Sequence, residues 1–345
     1  MAWGEAFLRL FHQTLRMSRF RQFVRLLAAT QLLPVLENGE ETTLVGGQAV
    51  FEGVMMRSPH AWAISVRKPT GEIVTHSEPL ERPSDKHHWM RWPLVRGVVT
   101  LGNAMVLGFR ATKYSVNVLL DQLPREQGSE PVQISGWLAG LNVLISVAFF
   151  IFLYKFIPLL ATTGLKRLDP RFGNQVWFNL ADGIIRIALF LLLIWGISLF
   201  GDIRRLYQYH GAEHKTVFCF EAGDPMEVSA AQKFVTWHPR CGTSFLITVL
   251  LISIPIYMLF PVTHFWARFA LRIALLPFIA GLAYEMIRYA ARKRSSFFAL
   301  LTRPGLWLQR ITTKAPADDQ VECAIEALTH SMQLERAQGG ELVIA

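Results

Sequence analysis

The residues best suited to chemistry lie between positions 209 and 241. The segment Tyr209-His210-Gly211-Ala212-Glu213-His214-Lys215 sets two imidazoles four residues apart with a carboxylate beside them. On a helix, positions i, i+3 and i+4 share a face, so His210, Glu213 and His214 point the same way. This is the H-x-x-E-H order of inverted zincin motifs. Two neutral imidazoles bind zinc well, and a neighbouring Glu can take a proton from an activated water. Further on, His238-Pro239-Arg240-Cys241 offers an imidazole and a thiol three residues apart, a workable pair of soft ligands. The expectation is a divalent metal, zinc by donor type, held by His210 and His214. His238, Cys241 or Glu285 would complete the set, with Glu213 as general base. A pentapeptide of this kind also recurs by chance. In that case Glu213 pairs with Lys215 or Arg204, and Glu285 pairs with Arg288 one helical turn away.

A second polar group stands nearer the N-terminus. The run from Gly47 to Pro59 is apolar apart from a few residues, among them Glu52 and Arg57. These two are candidates for a surface facing the histidines, or for a plain ion pair. Arg57, Arg96 and Arg240 are candidates for holding an anionic substrate. The remaining His and Cys residues, including Cys219 and Cys323, read as structural or solvated.

Positioning these side chains falls to an unusually apolar chain. Of 345 residues, 52% are hydrophobic, with 24 Phe and 10 Trp, and the formal net charge is +9. A basic balance fits either nucleic acid or an anionic membrane surface. The apolar content selects the membrane, and no nucleic acid is expected. Three separated cysteines with no C-x-x-C argue against a disulfide framework.

Four stretches approach the roughly 20 apolar residues that a spanning helix needs. They are 136–161, 177–200, 242–260 and 266–289, the third containing Pro255 and the fourth Arg268, Arg272 and Glu285. Trp137, Trp177 and Trp266 sit near span ends, as interfacial aromatics do. Positive charges concentrate in the N-terminal arm, in loop 201–241 and after the last span. By the positive-inside rule, those three regions face the cytoplasm, and the protein is a multi-pass cell-membrane protein with both termini inside. Lys166, Arg167 and Arg171 in the first connecting loop run against this orientation.

Outside the spans, residues 1–42 read as a basic amphipathic arm that lies on anionic lipid head groups. Residues 43–92 read as a small cytoplasmic β module of two or three strands, with Pro69-Thr70-Gly71 as a hairpin turn. Gly46-Gly47 and Gly53 mark bends or close backbone approaches. Residues 93–123 are helical but too polar for a clear span, so an interfacial or re-entrant helix is expected, with a fifth span as the alternative. Residues 290–345 form a cytoplasmic tail whose amphipathic helix starts near Asp318. The fold class is therefore mainly α, polytopic, with a small N-terminal sheet.

Several long segments carry a family resemblance. Gly46-Gly47 and the residues to Pro59, PLVRGVVTL at 93–101, YHGAEHKTVFCFEAG at 209–223, HPRCGTSF at 238–245 and the run from Pro304 to Leu328 all contribute. Together they resemble the bacterial YqhQ-like membrane family, a group with a domain of unknown function described as metal-dependent enzymes. The resemblance covers nearly everything from 43 to 330. It implies the fold and topology above and an enzyme of unnamed substrate.

Two functional classes follow. One is a metal-dependent, hydrolytic membrane enzyme whose site lies at the cytoplasmic face. The other is a non-enzymatic membrane factor or scaffold with a structural His/Cys site, linked to protein insertion or lipid binding. A transporter ranks below both, because intramembrane charges are few and no inverted repeat shows.

Overall fold

The computed structural model describes residues 45–81, 87–121, 136–239, 241–292 and 297–338. The N-terminal arm, residues 82–86, residues 122–135, Arg240, residues 293–296 and the last seven residues fall outside them. The fold is mostly helical, with one small sheet.

The sheet has four strands rather than two or three. β1 (Gly46–Val50), β2 (Gly53–Arg57), β3 (Ala61–Arg67) and β4 (Ile73–Pro79) form an antiparallel meander in sequence order. Pro69-Thr70-Gly71 falls in the β3–β4 turn, where Gly71 takes φ +90°. The extra strand comes from the tight turn at Phe51-Glu52, where Glu52 adopts φ 53° without being glycine. Alternation then sorts the side chains. Val50, Met55, Trp62, Ile64 and Val66 pack against α1 (Val95–Leu120) through Leu107 and Ala111. Val54 and Met56 point to the other face, against α5 (Gly201–Glu221) and α11 (Asp318–Ala337). On β3 that face carries Ala61, Ala63 and Ser65, small enough for Cys323 of α11 to reach the Ser65 carbonyl at 3.1 Å. Both faces of the sheet are thus covered.

The apolar helices form a second body. α2 (Gly136–Ile151) runs through a π-helical turn, Phe152–Phe156, into α3 (Ile157–Leu168). Pro158 lacks the N–H that would continue a regular ladder, which accounts for the wide turn just before it. α4 (Gln175–Ile197) returns alongside. The segments Gly140–Leu168 and Gln175–Ile197 are each long and apolar enough to cross a membrane, and little of either is buried within the protein.

The third and fourth expected spans differ from the reading. α7 (Gly242–Met258) has only 17 residues, about 26 Å at 1.5 Å per residue. The fourth is broken into α8 (Phe265–Ala274) and α9 (Leu276–Arg292), bent by 45° at Leu275. Pro277 explains the break, since it cannot donate to the carbonyl four residues back and its ring crowds that carbonyl. Counting the bent pair as one, up to three helices meet the length and composition of a span.

Loop 201–241 is mostly helix. α5 occupies its first half, the short α6 (Val228–Ala231) follows, and residues 232–241 lead into α7. After α9, the tail forms α10 (Phe297–Thr312), which packs on α7, and then α11. The expected tail helix at Asp318 is present.

Candidate metal centre

The site is built where α5, the start of α7 and the α10–α11 connection meet under β1. On α5, His210 and His214 lie one turn apart with ring centroids 4.5 Å from each other. Cys241, the N-cap of α7, brings its Sγ to 3.2 Å from His210 Nε2. One ligand atom each from His210, His214 and Cys241 all fall within 4.8 Å of one another. A tetrahedral ion with bonds of about 2.0–2.3 Å spaces its ligand atoms by about 3.5 Å, so modest closure suffices.

Backbone carbonyls set the tautomers. His210 Nδ1 lies 2.9 Å from the Thr312 carbonyl, and His214 Nδ1 lies 2.5 Å from the Thr236 carbonyl. A carbonyl only accepts, so each Nδ1 carries the proton and each Nε2 keeps its lone pair for the cluster. Among the described residues, His214 Nε2 is buried without a hydrogen-bond partner, a costly state that a ligand would relieve. Glu213 sits beside this pair, its Oε2 3.9 Å from His210 Nε2. The thiol stands at the first turn of α7, where helix dipoles favour negative charge.

His238 adjoins the cluster without entering the three-residue set. Its ring centroid is 5.7 Å from that of His214, and its Nε2 is 3.6 Å from Glu221 Oε2. Burial pulls its pKa down to about 4, so the ring is neutral near pH 7. Gln309 fixes the backbone here, accepting from His238 N at 2.7 Å and donating to its carbonyl at 2.9 Å.

Glu285 does not join the shell. α1 crosses α9, and Arg96 takes the Glu285 carboxylate with both Nε and Nη2. Two expected site residues therefore satisfy each other away from the histidines. Glu52 is likewise held by Arg205 of α5 through both carboxylate oxygens, and accepts from Tyr209 Oη at 3.2 Å. That bond raises the Arg205 pKa, so the pair is an ion-pair clasp between sheet and helix. Arg57 does reach the site, lining its cavity. Arg240 lies outside the described residues. Burial raises the thiol pKa of Cys219 to about 11 and of Cys323 to about 12, in keeping with structural roles.

The cavity encloses about 450 Å³. Its floor is His210, Glu213, His214, His238 and Cys241, and its roof is β1 from Gly46 to Ala49. Gly47 is required by the roof. A Cβ there would lie 2.8 Å from Glu213 Cγ and 2.6 Å from the Met55 carbonyl. The sequence marked Gly46-Gly47 as a close approach but not what it approaches. Thr236 and Thr312 were missed, because they act through backbone carbonyls that carry no side-chain signal.

Comparison with known proteins places the chain. A family described as "Protein of unknown function (DUF1385)" matches residues 92–334. The "Uncharacterized protein YqhQ" of Bacillus subtilis (strain 168) is 31% identical over 297 residues, covering 84% of this chain and 92% of that protein. No solved structure matches.

Proposed function

The chain belongs to the DUF1385 family, whose function is unknown, and we propose that it is an integral membrane protein with a metal-dependent, hydrolytic centre at its cytoplasmic face. The observation that carries this is the tautomer-locked pair His210 and His214, with a bare, buried Nε2 facing a thiol and a carboxylate at hand. Donors of N, N and S favour Zn over Mg or Ca. Three protein ligands beside a cavity leave a fourth position open, the pattern of catalytic rather than structural zinc.

His210, His214 and Cys241 would hold a divalent ion, which would supply Lewis acidity towards a substrate carbonyl or phosphoryl oxygen. Glu213 takes the proton of the attacking water and later delivers it to the leaving group. Arg57 on the cavity wall attracts an anionic part of the substrate. β1 limits water access from above.

The membrane reading draws on two apolar helices whose surfaces face outward and on the contacts around them. β1 packs on α5, and α11 packs on both the sheet and α5. The chain segments before the first pair of apolar helices, between the pairs and after the last therefore meet on one side. An even number of crossings, four in all, satisfies this with both termini in the cytoplasm. The basic arms then lie against anionic lipid.

The test is metal analysis of detergent-purified protein. Wild type should carry close to one equivalent, and His210→Ala and His214→Ala should lose most of it. Equal, negligible metal in all three overturns the proposal. A second reading rests on His238 beside His214: if His238 is a fourth ligand, the site is closed and structural. Slow metal loss to chelator that becomes fast in His238→Ala would select that reading.

A further inference from the structure

Away from the cytoplasmic site, the apolar helices bury charge that does not balance. Lys155, Arg186 and Arg272 are each at most 6% exposed, and Asp182 is the carboxylate between them. Asp182 accepts from Arg272 Nη1 at 2.6 Å and from Arg186 Nη2. Among the described residues, the hydrogen bond of Lys155 Nζ goes to an uncharged partner, Tyr257 Oη at 3.0 Å. All three cations sit 5.2–5.4 Å from the centre of the Tyr257 ring. Among the described residues, Arg186 Nε is buried with no hydrogen-bond partner. Two buried guanidiniums against one carboxylate leave a positive charge that a further anion would offset.

The surrounding backbone is irregular in the same place. Lys155 lies on the π-helical turn, Tyr257 follows Pro255 inside α7, and Arg272 precedes the α8–α9 break. Such irregularities inside membrane helices are tolerated where they serve a site. A small pocket adjoins the cluster through Arg272, and Gln175, Asn179 and Arg268 also line it. Its free volume, about 10 Å³, suits one water-sized group. Exposed Trp177 and Trp266 lie beside it in sequence, at the same helix ends.

We propose that this pocket, at the start of α4 and the end of α7, binds a phosphate anion through Arg268 and Arg272, one oxygen entering between them. Arg268 Nε donates to the Val262 carbonyl, and the Arg272 Nη atoms donate to Asp182 and Asn179. A phosphate oxygen would be met by the Nη end of Arg268 beside the Arg272 charge. Placement at the headgroup level rests on the membrane reading above. The anion site itself does not.

The experiment uses full-length protein in phosphatidylcholine mixed micelles, followed by thermal unfolding. Phosphatidylglycerol or inorganic phosphate is titrated in. The wild type should be stabilised, and Arg268→Gln, on the partly exposed rim, should need about tenfold more ligand for half the shift. Arg268→Lys should fall between them, because it keeps the charge and loses the fork. Lys233→Gln, on the exposed end of the cytoplasmic loop, should behave as wild type. Stabilisation by phosphatidylglycerol alone identifies a lipid phosphate, and stabilisation by inorganic phosphate alone identifies a free one. No shift in wild type, or equal shifts in wild type and Arg268→Gln, overturns the proposal. Should the protein stay soluble without detergent, the membrane reading fails, while the Arg268 comparison still decides the anion site.

Discussion

At the scale of single residues, the proposed centre would divide labour between binding and proton transfer. His210, His214 and Cys241 converge on one point, whereas Glu213 stands beside it. Glu213→Gln should therefore keep metal within about twofold of wild type, while Cys241→Ser should weaken binding by at least tenfold. Competition with a chromophoric chelator measures both, and a Glu213→Gln protein devoid of metal would make Glu213 a ligand instead. The histidines, the acid and the thiol were legible from spacing. The exclusion of Glu285 was not, because its partner Arg96 is far away in sequence and only the α1–α9 crossing brings it near.

At the scale of elements, two contacts hold the centre together. Gly211 lies against the Lys314 carbonyl, so the connection from α10 to α11 runs hard along α5. That approach lets the Thr312 carbonyl orient His210. Gly211→Ala should push the connection away, costing about 1–3 kcal/mol of stability and about 10–100-fold in metal affinity. Unchanged affinity in a stable Gly211→Ala protein would show that Thr312 does not position the ring. The second contact clasps α11 to the sheet. Glu335 accepts from Ser58 Oγ and His60 N at 2.7 Å and from His60 Nδ1 at 2.8 Å. Burial alone would raise its pKa, but these donors prevail and hold it below the ordinary carboxylate value. With the folded value lower, the unfolded chain takes up the proton first as pH falls. The stabilisation is full above the ordinary carboxylate range and is lost as pH drops through it. Glu335→Gln should cost about 1–3 kcal/mol at neutral pH and flatten the acid limb of a thermal-unfolding series.

At the scale of the whole molecule, the prediction concerns sidedness. The proposed four-crossing topology would place the α5–α6 connection inside and the short turn Pro170–Gly173 outside. In intact cells, Arg171→Cys should label with an impermeant maleimide and Asp224→Cys should not, judged against the parent protein. Labelling of both from outside would break the topology. This experiment bears directly on Lys166, Arg167 and Arg171, whose charges oppose the positive-inside rule.

The sequence alone determined what local chemistry and period can determine. It marked the metal-ligand candidates, the small N-terminal sheet, the apolar helices and the tail helix, because each is written in neighbouring residues. Pro277 was also readable as the breaker of the last span, yet a continuous apolar window hides a proline unless the backbone donor is counted. Only the tertiary structure decided the pairings that cross long stretches of chain. It set β1 over the histidines, gave Glu285 to Arg96, assigned carbonyls of Thr236 and Thr312 to the imidazoles, and gathered Lys155, Arg186 and Arg272 around the Tyr257 ring. Backbone groups look alike in every sequence, and long-range partners depend on how helices cross. Those facts belong to packing.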